Sequence, residues 1–202
     1  MATIEKQVQT HINVQLTDRD RQSAFFRWVL IAPVFILLYS LTSMVHTGLF
    51  LSGFIFVPVV LTLLFRGVYP SYVLTFNHAI LEFNSRLAAY ALLLVDDYPS
   101  IERNPNIAVV IPDIEGGAVL SRGLPLVKWI FAIPLFIVGV LYSVIAAVFT
   151  VFAWIHVSVT GTYPGSVLKF VLGTLQFWNR VIGYALLLVT DEYPPFSLEL
   201  KY

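Results

Sequence analysis

The chain contains no cysteine, which excludes disulfides, thiolate metal sites, cysteine nucleophiles and palmitoylation. Charge is scarce too. Asp, Glu, Lys and Arg make up 12% of the 202 residues, about half the share usual in a soluble domain. Twelve basic residues balance twelve acidic ones, so no basic field points to nucleic acid. The glycines form neither a Gly-x-x-x-x-Gly-Lys-Ser/Thr nor a Gly-x-Gly-x-x-Gly phosphate loop, and Gly-x-Ser-x-Gly and His-Glu-x-x-His are missing as well. The N-terminal stretch MATIEKQVQTHINVQLTDRDR lacks the apolar core and small-residue cleavage site of a signal peptide. No cofactor and no catalytic activity are expected from these residues. A lipid-modifying enzyme would lack a recognisable nucleophile or metal set.

Hydrophobic residues are abundant, at 58% of the chain with a mean hydropathy of +0.81. No Asp, Glu, Lys or Arg occurs between Arg27 and Arg66, or between Lys128 and Lys169. Roughly 20 apolar residues suffice to cross a bilayer core, so both runs read as membrane segments. Trp28, Trp129, Trp154 and Trp178 stand near segment ends, as interfacial anchors do.

The chain repeats itself. YALLLV occurs at 90–95 and at 184–189, each time followed by acid and Tyr-Pro. Arg27-Trp28 before Pro33 answers to Lys128-Trp129 before Pro134, and Tyr69-Pro70 to Tyr163-Pro164. Phe83, Arg86 and Tyr90 answer to Phe177, Arg180 and Tyr184. Two tandem copies, residues 1–104 and 105–202, account for nearly the whole chain.

Each copy opens with an alternating stretch that reads as a short strand, at about 4–16 and 107–115. These strands could pair with each other or with a partner's sheet edge. The apolar run follows, then a Tyr-Pro turn and an amphipathic helix whose polar stripe includes His78, Glu82 and Arg86 or Gln176 and Arg180. Pro99 and Pro194-Pro195 stop those helices. Each run is either a hairpin returning to its starting side, turning near Ser43, His46 and Gly48 in the first copy, or one long span of about 46 Å. Keeping every Lys and Arg on one face favours the hairpin. The expected fold is an all-α integral membrane protein of two parallel repeats. The expected place is the bacterial inner membrane, multi-pass, with both termini cytoplasmic.

The Ile-Pro of the second run, the GTYPG turn and FWNRVIGYALLLVTDEYPPFSLE resemble an uncharacterised bacterial integral-membrane family, a domain of unknown function. The resemblance is best over residues 128–199, and the first copy departs from it with Val-Tyr-Pro-Ser and Asp-Tyr-Pro-Ser-Ile-Glu. It implies a bacterial origin and supports the repeat. It supplies no active residues.

The candidate polar site comprises Glu82, Arg86, Asp97, Gln176, Arg180 and Asp191. Arg86 and Asp97 are eleven residues apart, as are Arg180 and Asp191, close to three turns and so one helix face. They read either as a repeated ion pair between the copies or as arginines reaching lipid headgroups with aspartates ending the helix in water; the amphipathic stripe favours the second. Glu82 and Arg86 stand at i, i+4, whereas Gln176 brings no charge to Arg180. His46 and His156 lie in the apolar runs without a second ligand. Asp96-Asp97 and Asp191-Glu192 are adjacent acids that point to different sides of a helix.

The expected function is that of a non-enzymatic membrane protein, an accessory subunit, scaffold or membrane-shaping element. Its partners would be the lipid bilayer and other membrane subunits or further copies of itself. The alternative is a small transporter or channel with a polar site between the repeats.

Overall fold

The structure, a computed structural model, describes residues 6–43, 50–51, 53–102 and 105–198. Its longest element is helix α6, Leu124–Thr160, about 55 Å long at 1.5 Å per residue. Pro125 stands in its first turn and Gly161, at φ 72°, ends it by donating its N–H to Val157 O. Between these punctuation marks nothing demands a turn. Pro134 removes one rung of the backbone ladder, yet the helix runs through it. The hairpin expected in the second run is therefore not formed.

The first run is more broken. Asp20 caps α1, Arg21–Phe25, accepting the Gln22 N–H on Oδ1 at 3.0 Å. Then come α2, Arg27–Leu30, and α3, Ala32–Ser43, divided just before Pro33, whose ring clashes with the preceding turn. Strands β2, Phe50–Leu51, and β3, Phe54–Ile55, pair around Gly53 at φ 86°, and α4, Val57–Arg66, ends at Gly67 in the left-handed region. Ser43 does close a helix, but His46 and Gly48 lie outside the described residues.

Contacts with α6 fix the direction of this run. Arg21 Nη2 donates to Thr160 O at 3.2 Å and Trp154 Nε1 to Ala24 O at 3.0 Å, at the C-terminal end of α6. Phe56 then meets Trp129, ring centroids 5.0 Å apart, and Gly67 lies against the Arg122 guanidinium at the other end. The run thus travels the length of α6 in the opposite sense. It ends at the opposite end of α6 from where it starts, so the first run and α6 are antiparallel.

After each Tyr-Pro turn the chain comes back as a helix, α5 (Ser71–Ala91) and α7 (Gly165–Ile182). The two cross where Asn179 Nδ2 donates to Ser85 Oγ at 2.9 Å. Against their far side lies a ribbon of β1, Gln9–Ile12, and β4, Ile107–Val110, antiparallel with Ile12 opposite Ile107. The two strands read from the sequence do pair with each other. Gln176 Nε2 and Asn179 Nδ2 donate to Thr10 O and Oγ1 at 3.1 and 2.8 Å, and His78 Nε2 donates to Val109 O at 2.6 Å. The molecule is therefore layered. Apolar runs form one face, α5 and α7 the middle, and the ribbon and polar loops the other face, so strands accompany the helices of the all-α expectation.

The core lies between these layers. Leu93, Leu94 and Val95, and Leu187, Leu188 and Val189, are almost completely buried. The twice-written YALLLV is thus core at both sites. On α6 only a narrow seam is covered, including Lys128, Ala132, Leu135, Gly139, Ala146, Ala153 and Val157, the spacing of a helix that touches neighbours along one stripe. The rest, from Ile130 through Ile137 and Val144 to Val159, is exposed and apolar. Among the described residues α6 is the one helix long and apolar enough to cross a membrane.

Candidate functional site

Two buried cations, at opposite ends of the long axis, organise the polar interior. Arg27 opens α2 and is 1% exposed. Its Nη2 lies 2.6 Å from Asp96 Oδ1, and its Nη1 donates to Tyr90 O at 3.0 Å and Val95 O at 2.7 Å. The guanidinium stacks 4.2 Å over the Tyr90 ring. Arg19 joins the same carboxylate at 2.7 Å, and the Asp20 N–H donates to its other oxygen at 3.1 Å.

Lys128, in the first turns of α6, repeats this with an ammonium. Its Nζ lies 2.8 Å from Asp191 Oδ1, donates to Thr190 O at 2.7 Å and sits 5.2 Å over the Tyr184 ring. The Ser121 N–H donates to Asp191 Oδ2 at 2.6 Å. Burial pushes the Asp191 carboxyl up, but Lys128 and the Ser121 N–H outweigh it and hold the group below the ordinary carboxylate range. Two rings, Tyr98 and Tyr193, complete the ends by edge contacts with Tyr90 and Tyr184. Each of these two cations has both a counter-ion and hydrogen bonds, which offset the cost of taking it out of water.

The chain reaches the two carboxylates by different routes. Asp96 comes six positions after Tyr90, and Asp191 seven positions after Tyr184. After α5 the Leu94 N–H donates to Ala89 O, whereas after α7 a π-helical turn, Gly183–Leu187, lets the Val189 N–H reach Gly183 O. That wider turn absorbs the extra residue. Leu93 at φ 58° and Leu188 at φ 59° then bend the chain toward the cation in both places.

Of the six residues expected to form a polar site, Asp191 belongs to such a pair, with Lys128 rather than Arg180 as its partner. Asp97 instead accepts from Asn106 Nδ2 at 2.7 Å. The eleven-residue spacing presumed a continuing helix, but α5 ends at Ala91 and α7 at Ile182, and the left-handed leucines break the phase. Both arginines are buried against the protein. Arg86 is 4% and Arg180 8% exposed, and their Nη2 atoms donate to Ile101 O at 3.2 Å and Ser197 O at 2.6 Å, tying down the segments that follow Tyr98 and Tyr193. Glu82 faces His78, 3.7 Å from its Nε2, and Gln176 holds the ribbon. Sequence reasoning noticed Arg27 and Lys128 as repeated positions but not as a site. Their signal was a cation placed at the very edge of an uncharged run.

The Tyr-Pro turns are second anchors. The Tyr69 N–H donates to Gly116 O at 2.7 Å and the Tyr163 N–H to Leu16 O at 2.8 Å. Each turn thus docks on the strand-to-helix linker of the other part of the chain. The Tyr69 hydroxyl donates to Leu187 O at 2.8 Å and accepts from Asn77 Nδ2 at 3.3 Å. Burial pushes both phenols up to about 12. His156 Nδ1 lies 2.9 Å from Thr162 O, a contact that closes the end of α6. Among the described residues no three His, Asp or Glu side chains converge.

A DUF4389 domain, a domain of unknown function, is found at residues 125–197. The DUF4389 region takes in α6, α7, Lys128, Arg180 and Asp191. Arg19, Arg27 and Asp96 lie outside it. No curated protein and no solved structure matches the chain.

Proposed function

We propose that the chain is a non-enzymatic membrane protein of the bacterial inner membrane, immersed by its apolar face in one leaflet, where it acts as a scaffold or membrane-shaping element. The observation that carries this reading is the layering. Exposed Phe35, Ile36, Ile137, Val140, Val148 and Ile155 lie on the face of the long runs, whereas exposed His11, Asn13, Asp97 and Glu102 belong to the ribbon and its loops. A helix that is apolar around most of its circumference belongs in hydrocarbon, and a polar layer above it belongs in water. Insertion of such a wedge into one leaflet expands that leaflet alone. The polar layer, with both termini, then faces the cytoplasm.

Two tandem units, 1–104 and 105–202, related by an approximate dyad through the Ile12 and Ile107 pair, belong to the same reading. The paired contacts of Arg27 with Asp96 and Lys128 with Asp191 support it, as does the reciprocal docking of Tyr69 and Tyr163.

The test uses the natural absence of cysteine. Arg21→Cys and Arg122→Cys place single thiols at opposite ends of α6. In oriented membranes an impermeant maleimide should label both from the same, cytoplasmic side, while Ile137→Cys stays protected. Labelling of the two ends from opposite sides would overturn the one-leaflet reading and favour the spanning arrangement that a transporter or channel requires.

A further inference from the structure

A groove interrupts the apolar face. A cavity of about 740 Å³ opens between α2 and α3 on one side and the middle of α6 on the other, roofed by α5 and α7. That is the size range of sites that take small organic ligands. Its walls are Trp28, Ile31 and Phe35 facing Ala146 and Ala147. Small side chains create it. Farther along α6, toward Lys128, the corresponding space is closed by Trp178, whose ring lies so near Gly139 that an added Cβ would stand 2.7 Å from it.

One polar group breaks the lining. Asn84, on the roof, is half-buried and its carboxamide makes no hydrogen bond to any described residue. Three other polar side chains of the wall are engaged: Ser143 with Gly139 O and Trp178 Nε1, Thr174 with Phe170 O, and Asn179 with Thr10 and Ser85. An amide left free at the head of an apolar slot is a donor waiting for an acceptor, because a polar group in such surroundings is stabilised by a hydrogen bond and penalised without one.

We infer that the groove holds an acyl chain of a membrane phospholipid, with Asn84 Nδ2 donating to the ester carbonyl at the head of that chain. The inference rests on the one-leaflet reading and refines it. With the apolar face down, the roof formed by α5 and α7 lies between hydrocarbon and water. That is the depth at which the ester oxygens of a lipid sit, and the slot below is open along the face that meets the chains. An ester carbonyl accepts but cannot donate, and the amide supplies the donor. The occupant is thus a lipid held one to one, distinct from the mobile lipids around the molecule.

The protein is reconstituted into vesicles of phosphatidylethanolamine and phosphatidylglycerol, extracted in mild detergent, and examined by native mass spectrometry. Wild type should carry one lipid per chain through detergent exchange. Ala147→Phe, at an exposed position on the wall, should lower that occupancy about tenfold by filling the slot. Asn84→Leu should lower it about fivefold through loss of one hydrogen bond. Flotation with vesicles and the circular dichroism of both variants should match wild type. Equal occupancy in both variants, or a graded ladder of loosely held lipids in wild type, overturns the inference. If wild type floats with vesicles but keeps no lipid, the groove assignment fails alone. If wild type does not float, the membrane reading itself has failed.

Discussion

Arg27 and Lys128 are buried cations whose counter-ions sit at the solvent edge, and this sets what their removal does. Arg27→Ala leaves Asp96 with Arg19 and removes a donor from Val95 O, whereas Lys128→Ala leaves Asp191 without its cation and removes a donor from Thr190 O; each should lower stability by about 1–3 kcal/mol. Urea unfolding in detergent measures both, and an unchanged midpoint for Lys128→Ala would sink the assignment. Lys128→Met combined with Asp191→Asn should recover much of the loss, since no charge then stays buried. Titration gives a second check. A phenol raised to about 12 in the fold, from about 10 when unfolded, favours folding fully below pH ~10 and loses that contribution as pH rises through ~12. Tyr69→Phe should abolish one of the late tyrosinate transitions seen by ultraviolet absorbance. Asp191, held low, works in the opposite sense. Its contribution is complete above the unfolded carboxylate value of about 3.9 and disappears as pH falls through the lower folded value. The cations themselves were visible in the sequence as the borders of uncharged runs. Their pairing was not, because Asp96 and Asp191 are brought in by left-handed leucines beyond the helix ends, where periodicity says nothing.

At the level of elements, α6 takes the second of the two forms open to its run, one long helix rather than the favoured hairpin. A fold-back needs residues that supply a turn, and Tyr142 to Ala147 offer none, whereas the preference for one-sided charge weighed on the other side of the argument. That preference assumes a chain crossing a bilayer, and it loses its force for a helix lying along one. The strands and the return helices were legible because alternation and three-four spacing are local signals; that the polar stripes face a ribbon instead of water is a tertiary outcome. The linker that receives Tyr69 is tightly built. Gly117 has φ 105°, and an added Cβ would lie 2.7 Å from the Tyr69 nitrogen. Gly117→Ala should therefore lower stability by about 1–3 kcal/mol, read from thermal unfolding, and a neutral result would show that the docking of the Tyr69 turn contributes nothing. The π-helical turn makes a different demand. Deleting Leu186 should convert it to an ordinary turn and restore the six-residue interval from tyrosine to aspartate, so the deletion should cost far less than one elsewhere in α7.

For the whole molecule, the layered arrangement places all the large exposed apolar surface of the long runs on one side. At high density on vesicles the protein should convert spheres into tubules or small, strongly curved particles, visible by electron microscopy. Vesicles that remain spherical at saturating coverage would remove the shaping role and leave the scaffold. The antiparallel course of the first run and α6 has one more consequence. Each helix carries a positive amino end and a negative carboxyl end, and here those ends are set against each other, with a cation and a carboxylate buried at both extremities. The dipole of α6 and those of the first run therefore oppose each other along the length of the molecule. On the one-leaflet reading, that opposition leaves a lateral field little to align and lets neighbours pack beside the molecule in either sense.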